Sequence, residues 1–438
     1  MGVGGAERDR PAGRRRAPPS AFRRGRGRVP PAVAPARCRV AVRCLLQRGR
    51  QPPALVHPAR AVGVPGRAHG CGVARAVGRG LPAGQHRCGV GRGRPPPPPA
   101  AQYDGQAEVL LQDYHLCTAG QAVRERLPGV QLLHYMHTPW VDPDALRRLP
   151  DRMVEEVVRG LLAADVIGFS SPVWAAAFRR CAASVLGATI DGDAVRLDDR
   201  RTQVTDFVLG VDEADLASSA TSAPVAAAGA DLDAQADGRR MLLRVDRTDL
   251  SKNILRGLRA YELLLERHPE HRGRVWHYAH LNPSRQGVDA YRDYLGSCRE
   301  VAARIRERFG DEALTLFVGD DYPRAVAALQ RFDVLFANPV IDGTNLVAKE
   351  GPVLNTRDGV VVLSRTAGAA SVLAGGALLV NPYDVDGQAE ALHAALTMES
   401  AERARRAETL RTAARLGAPD QWLNAQRHTL RAAAARRR

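Results

Sequence analysis

Residues 332–350 read FDVLFANPVIDGTNLVAKE. The apolar run Val334–Ala337 reads as a short buried strand of a parallel sheet. An Asp-Gly pair, Asp342–Gly343, follows, and the segment from Thr344 to Val347 opens a helix. A strand that turns at a glycine and runs into a helix is one unit of an α/β fold. Its connecting loop lies at the carboxyl end of the sheet, where open α/β folds bind ligands. Gly343 permits close backbone approach there, and the first-turn N–H groups of the helix are aimed at an anion. Glu350 is placed to accept hydrogen bonds from the vicinal hydroxyls of a ribose. The plainer alternative is a helix capped by Asp342 with a buried glutamate.

The same unit recurs on either side. Val109–Leu111, Gln131–Met136, Val166–Phe169, Met241–Val245, Leu314–Val318, Val360–Leu363 and Leu378–Val380 are apolar runs of strand length. Helical periodicity lies between them. In 151–164, Met153, Val157, Val158, Leu161 and Leu162 fall on one face and Arg152, Glu155, Glu156 and Arg159 on the other. Segments 254–267 and 298–309 behave alike. Alternation of this kind predicts α/β architecture with parallel sheets covered on both faces. Segment 212–238, rich in Ala, Ser and Asp and weak in periodicity, is expected to connect two domains. Two such domains leave a cleft facing the carboxyl ends of both sheets.

The charge divides elsewhere. The chain of 438 residues carries a formal net charge of +16, but residues 1–100 alone hold 21 Arg, no Lys and two acids, a net of +19, and the remainder is −3. That split excludes a uniformly basic nucleic-acid-binding enzyme. The same hundred residues contain 16 of 29 prolines and 17 of 41 glycines, and no Ile, Thr, Asn, Tyr or Trp. Such a composition cannot bury enough apolar surface to offset chain entropy, so 1–102 is expected to be disordered. A basic arm for nucleic acid and a plain tail are two readings of it. The abrupt join after RGRPPPPPA and the absence of Lys favour a third, an out-of-frame translation of a GC-rich gene. The three cysteines beyond it, Cys117, Cys181 and Cys298, are expected to be free thiols of a reducing compartment. No signal peptide or membrane span is visible, which points to a cytoplasmic protein.

Polar residues gather just after strands. Asp113 and His115 follow Val109–Leu111 in QDYHL, and His134 and His137 lie in HYMHTPW. Arg247, Asp249 and Lys252 follow Met241–Val245 in RVDRTDLSKN, and Arg285 lies in HLNPSRQG. Arg247 and Lys252 can bring a forked guanidinium and a point-charge ammonium to one diphosphate; the alternative is a solvent-facing pair with Asp249 as local counter-charge. His134 and His137, three apart in a strand-like run, are expected on opposite faces, which argues against shared metal ligation. There is no Walker A loop, GxSxG elbow, HExxH or GxGxxG. This inventory suits a transferase that works by positioning and phosphate stabilisation, with no metal or resident cofactor.

At these residues the chain resembles the trehalose-6-phosphate synthases, retaining glycosyltransferases of family 20 with the GT-B fold. The resemblance runs through QDYHL, HTPW, FVLGVD (207–212), VDRTDLSKN, NPSRQGVDAY, FDVLFANPVIDGTNLVAKE, VVLSRTAGAA and LLVNPYD, from Val109 to Asp384, some 63% of the chain. It implies two Rossmann-like domains facing a cleft, 103–212 on the acceptor side (the first domain incomplete) and 239–405 for the nucleotide sugar, with a helix and basic tail over 406–438. It implies that Arg247 and Lys252 hold the donor diphosphate, that Asp342 binds donor-sugar hydroxyls, and that the backbone of Gly343, Asn345, Leu346 and Val347 meets phosphates and ribose. Glu350 would hold the ribose, His137 would face the reacting carbon, and Asp113 and Arg285 would serve the acceptor, Arg285 at its phosphate. The implied reaction moves glucose from UDP-glucose to glucose 6-phosphate with retention, without metal or membrane and without nucleic acid, in a monomer or a homo-oligomer.

The sequence departs from the family in places. It reads SKN at 251–253 where SKG is usual, and HTPW at 137–140 where HIPF is usual. Nothing in 1–102 matches the family's opening strand and Gly-rich loop. These differences leave the donor base (UDP, ADP or GDP) and the acceptor open. They also keep three relatives of the main reading in view: a glucosylglycerol-phosphate synthase, a pseudoglycosyltransferase coupling cyclitols, and a non-catalytic paralogue that only binds nucleotide sugar.

Overall fold

The computed structural model describes residues 107–436 and, before them, the backbone of two strands, β1 (Val42–Leu46) and β2 (Ala74–Gly78). Apart from those strands, the segment expected to be disordered lies outside the described residues.

A first sheet continues through β3 (Glu108–Gln112), β4 (Gln131–Met136), β5 (Val166–Phe169), β6 (Thr189–Asp191), β7 (Ala194–Leu197) and β8 (Arg200–Asp206), in the order β1-β2-β3-β4-β5-β8-β7-β6. Its centre, β3-β4-β5-β8, is parallel as expected. Its flanks are not: β2 runs against β3, and β6, β7 and β8 pair antiparallel. The β6–β7 turn holds Gly192 at φ 58 between two aspartates, the Asp-Gly arrangement that favours a tight hairpin over a crossover.

The second sheet is parallel throughout: β9 (Arg240–Arg247), β10 (Val275–Asn282), β11 (Leu314–Val318), β12 (Val334–Ala337), β13 (Val360–Ser364) and β14 (Leu378–Val380), ordered β11-β10-β9-β12-β13-β14. Numbered from β9, this is 3-2-1-4-5-6, the doubly wound order whose ligand crevice opens where the strand order reverses. Here the reversal falls between β9 and β12. The loops that leave those two strands carry Lys252 and Asp342.

Segment 212–238 is not an irregular connection. It forms the helices Glu213–Ala220 and Ala223–Ala236, with the Asp212 carboxylate capping the first by accepting from Asp215 N–H at 3.1 Å. Alanine has the highest helix propensity, so a run of alanines folds as helix even where apolar spacing is weak. Leu216, Val225 and Leu232 are buried in the core of the second lobe. In the helix Asp151–Leu162 the buried stripe runs through Val154, Val158 and Leu161, and Met153, expected inward, is exposed.

The chain crosses between lobes twice. It leaves the first through 207–211 and returns after the helix Ser400–Ala414, so that the last helix, Pro419–Ala435, packs on the first sheet with Leu430 against Leu133, Tyr135 and Val166. Its Arg427 and Arg431 both hold the buried Glu108 carboxylate, at 2.7 and 2.6 Å. The two crossings touch main chain to main chain. Gly210 N–H donates to Gly417 O at 2.6 Å, and a Cβ on Gly417 would lie 2.0 Å from Val208 O.

Candidate functional site

β9 is apolar until it ends in Arg-Val-Asp-Arg, and the charged pair inside it is buried. Arg244 is fully enclosed; its Nη1 donates to Asp246 Oδ2 at 2.7 Å and to Lys252 O at 3.2 Å, and its Nη2 donates to Asn338 Oδ1. Asn338 Nδ2 in turn donates to Gln388 Oε1 at 2.6 Å, and Asn253 Nδ2 reaches both Asn338 O and Pro382 O. The loops after β9, β12 and β14 are thus fastened to one another from below. A buried charge is tolerated only with its partners in place, so this network fixes the loops tightly.

Above it sits Lys252, in the short turn Leu250–Lys252. Its Nζ lies 2.5 Å from Asp342 Oδ2 and 3.8 Å from Asp246 Oδ1. Burial alone would lower its pKa, but the two carboxylates outweigh burial and hold it above the ordinary lysine value, so the ammonium stays charged. Arg247 is near enough to oppose that charge, yet the two cations do not share a partner: Arg247 Nη2 pairs with Asp249 Oδ2 at 2.7 Å, with 59% of its side chain exposed. Asp249 Oδ1 is buried without a partner among the described residues.

The helix after β12 is Leu346–Leu354, and its cap is Asn345, not Asp342. Asn345 adopts φ 64, accepts from Ala348 N–H at 3.0 Å and donates from Nδ2 to Asp342 Oδ2 at 3.1 Å. The N–H groups of Leu346 and Val347 precede the first intrahelical bond. Among the described residues they have no partner. A charged lysine, a carboxylate and two open N–H groups therefore stand together at the switch point. Glu350 lies on the same helix, half-buried.

The first lobe meets this point directly. Gly343 O accepts from Ser170 Oγ and from Trp174 Nε1, and a Cβ on Gly343 would fall 1.7 Å from His137 O. Gly368 stacks behind it, its own Cβ position 1.7 Å from Gly343 O. The close approach that Gly343 permits is thus to the main chain of His137. The His137 ring, past the end of β4, meets Gln112 Oε1 at 2.8 Å, and burial lowers its pKa, so it is neutral at pH 7. His134 is buried, held to Asp113 O at 3.0 Å and pushed down to about 4. Asp113, at φ 66, accepts from Thr138 N–H at 3.2 Å. Arg285 is exposed on the opposite rim; Nη1 donates to Tyr291 OH at 2.6 Å, and Nη2 reaches across to Tyr114 OH in the first lobe at 3.5 Å.

Of the residues expected at the site, the structure brings Lys252, Asp342, Gly343 and Asn345 together, with Leu346 and Val347 opening the same helix and the His137 main chain set against Gly343. Arg247, Arg285 and Asp113 lie at the margins, engaged locally. The supporting set, Arg244, Asp246, Asn338 and Gln388, was missed. Its one sequence signal is an Arg and an Asp alternating within an apolar strand.

Lys349 has a different role. Its Nζ is buried and donates to Leu209 O, in the first crossing, at 2.6 Å. Burial brings its pKa from the ordinary 10.5 down to about 8. Between these values the unfolded chain binds more protons, so the contribution of this site to stability rises with pH through that window and is lowest below it. In urea unfolding from pH 7 to pH 10, the native protein should gain on Lys349→Met by up to about 3 kcal/mol. Parallel pH profiles would show that Lys349 is not a buried cation. Cys117, Cys181 and Cys298 are free and buried.

A model of glycosyltransferase family 20 matches residues 100–432. The chain is 33% identical over 320 residues to validamine 7-phosphate valienyltransferase of Streptomyces hygroscopicus subsp. jinggangensis, covering 72% of this chain and 63% of that protein. It is similar to the structure of an alpha,alpha-trehalose-phosphate synthase (UDP-forming) from Burkholderia xenovorans in complex with glucose-6-phosphate, with TM-score 0.69, 29% identity, and 73% and 72% of the two chains covered. An E. coli structure described as trehalose-6-phosphate bound with UDP-2-fluoro glucose gives TM-score 0.68 and 29% identity over 74% and 72%. The chain thus spans under two thirds of the curated relative's length.

Proposed function

The chain belongs to glycosyltransferase family 20, and on that premise we propose that it moves a glucosyl group from a nucleotide sugar, UDP-glucose, to glucose 6-phosphate, giving trehalose 6-phosphate and UDP with the anomeric configuration retained. The observation that carries this reading is the meeting of Lys252, Asp342 and the open N–H groups of Leu346 and Val347 at the switch point of the second sheet. The bond between the anomeric carbon and the diphosphate oxygen breaks as the acceptor hydroxyl closes on the same face. That oxygen takes the acceptor's proton. The charge left on the diphosphate is met by the Lys252 ammonium, by Arg247 from the rim and by the helix N–H groups, so catalysis rests on orientation and fixed charge. Asp342 turns its carboxylate to the sugar hydroxyls, Glu350 holds the ribose, and neutral His137 faces the reacting carbon. Asp113 and Arg285 serve the acceptor. No resident metal or cofactor has a part in the scheme.

A second reading has one observation behind it, the 33% identity to a valienyltransferase. There the acceptor would be validamine 7-phosphate, a phosphorylated aminocyclitol, and the same anion-holding groups would serve. Nucleotide release measured from UDP-glucose with and without glucose 6-phosphate, and from a nucleotide-activated valienyl donor with and without validamine 7-phosphate, beside calorimetric UDP binding, separates the readings. Release that depends on glucose 6-phosphate is expected. Binding of UDP without release in any arm would contradict transfer and leave a nucleotide-sugar binder.

A further inference from the structure

The His137 ring stands just past the end of β4, and one hydrogen bond, between Nε2 and Gln112 Oε1 at 2.8 Å, is all that it makes among the described residues. The outer torsion of a histidine is broad, so a bond at one nitrogen leaves the ring free to swing about it. Its plane needs further support, and two aromatic rings supply it. Tyr135, two residues earlier and fully buried, meets the His137 ring edge to face at 4.7 Å and 70°. Trp422 meets Tyr135 in turn at 4.9 Å and 89°, and stands 6.1 Å from His137 at a tilt of 43°. Ring centroids about 4.5–7 Å apart in offset or edge arrangements attract one another. The three rings thus close a triangle around the end of β4.

Trp422 reaches this point from the far side of the molecule. The chain has by then passed through the second lobe and returned, and the main-chain clasp from Gly210 N–H to Gly417 O lies shortly before it. Pro419 opens the last helix, and Trp422 falls in its first turn, its N–H donating to Ala418 O at 2.8 Å. Further along the same helix Leu430 is buried on the first sheet, and Arg427 and Arg431 grip Glu108. The indole is therefore set by the crossing before it and by the anchored helix after it. Covering Leu133 and Tyr135 needs only apolar bulk at 422. Holding a neighbouring ring in one plane needs a flat, rigid face.

Resting on the role given to His137 in transfer, we propose that Trp422 is a positioning residue, which fixes the plane of the His137 ring by direct contact and through Tyr135. A group facing a reacting centre has to be held within about 0.5 Å and 10–20° by its neighbours, and that is the service Trp422 performs. The same packing keeps water from the ring. Burial lowers the His137 pKa against the Asp113 carboxylate, which acts to raise it, while His134 beside it is already pushed down to about 4 and neutral. Thinning the cover at 422 therefore moves the His137 pKa upward.

The test uses the full chain with Trp422→Met and Trp422→Leu, which keep apolar bulk, and Trp422→Phe, which keeps a flat ring. With UDP-glucose and glucose 6-phosphate, the Met and Leu variants should lose about tenfold in kcat while KM for UDP-glucose stays within about twofold, and Phe should recover most of the rate. In a His137→Gln background Trp422→Met should cost nothing further, because the ring it aligns is gone. Histidine C2–H NMR, with His137 assigned by its loss in His137→Gln, should show that signal displaced and titrating at higher pH in Trp422→Met. Thermal melts establish which variants fold. Should neither Met nor Leu fold, the His137 signal must still move in Trp422→Phe, since phenyl shields a neighbour less than indole. A folded Met or Leu variant with native kcat, an equal loss in both backgrounds, or an unmoved His137 signal overturns the proposal. A native chain that transfers nothing fails the reading of the reaction instead, and the His137 signal then decides the placement of Trp422 by itself.

Discussion

Lys252→Ala is expected to lower kcat/KM for glucosyl transfer about a thousandfold, the scale of losing one fixed donor to developing charge. Lys252 stands above the buried Arg244–Asp246 pair at the switch point, its Nζ 2.5 Å from Asp342 Oδ2 and its main-chain carbonyl held by Arg244. Its ammonium is lifted above the ordinary lysine value once the carboxylates outweigh burial, so it remains available to a leaving diphosphate throughout the neutral and mildly alkaline range. The substitution also leaves Asp342 and Asp246 facing each other with less compensation, at a cost of roughly 1–3 kcal/mol. A thermal melt alongside steady-state kinetics separates the two effects. A folded variant with transfer within threefold of the native protein would remove Lys252 from the machinery.

Gly343→Ala should be nearly as damaging, for a different reason. The added Cβ would meet the His137 carbonyl at 1.7 Å, main chain against main chain, and no side-chain rotation relieves that contact. The lobes must part there, shifting His137 relative to Lys252 and Asp342. A displacement of about 1 Å at a reacting centre costs on the order of a hundredfold, and overpacking costs about 1–3 kcal/mol of stability. Because Lys252 and the Leu346–Leu354 helix start both belong to the second lobe, UDP affinity should change little while transfer falls. Calorimetry and rate assays on one preparation check this. Unchanged transfer would show that the two lobes do not need to meet at Gly343.

The parts of this arrangement that were legible in the sequence are local. Strand Val334–Ala337 and helix Ile254–Arg267 follow from apolar spacing, and Lys252 and Asp342 follow from their places just after strands. What escaped has a longer reach or a weaker period. The helices over 213–236 rest on alanine propensity, not on an apolar stripe. The Asp191-Gly192-Asp193 turn was readable as a hairpin, but its polar flanks hid it among loops. Arg244 Nη2 finds its acceptor on Asn338, 94 residues later, and Glu108 is held by arginines more than 300 residues away. No local pattern shows such a partner.

The most direct test of transfer is the product itself. With UDP-glucose and glucose 6-phosphate as substrates, the new linkage is read by anomeric proton and carbon NMR. An α,α-linked disaccharide phosphate formed in step with UDP is expected. Free glucose with UDP, a β-configured product, or UDP bound with no new sugar bond would contradict it.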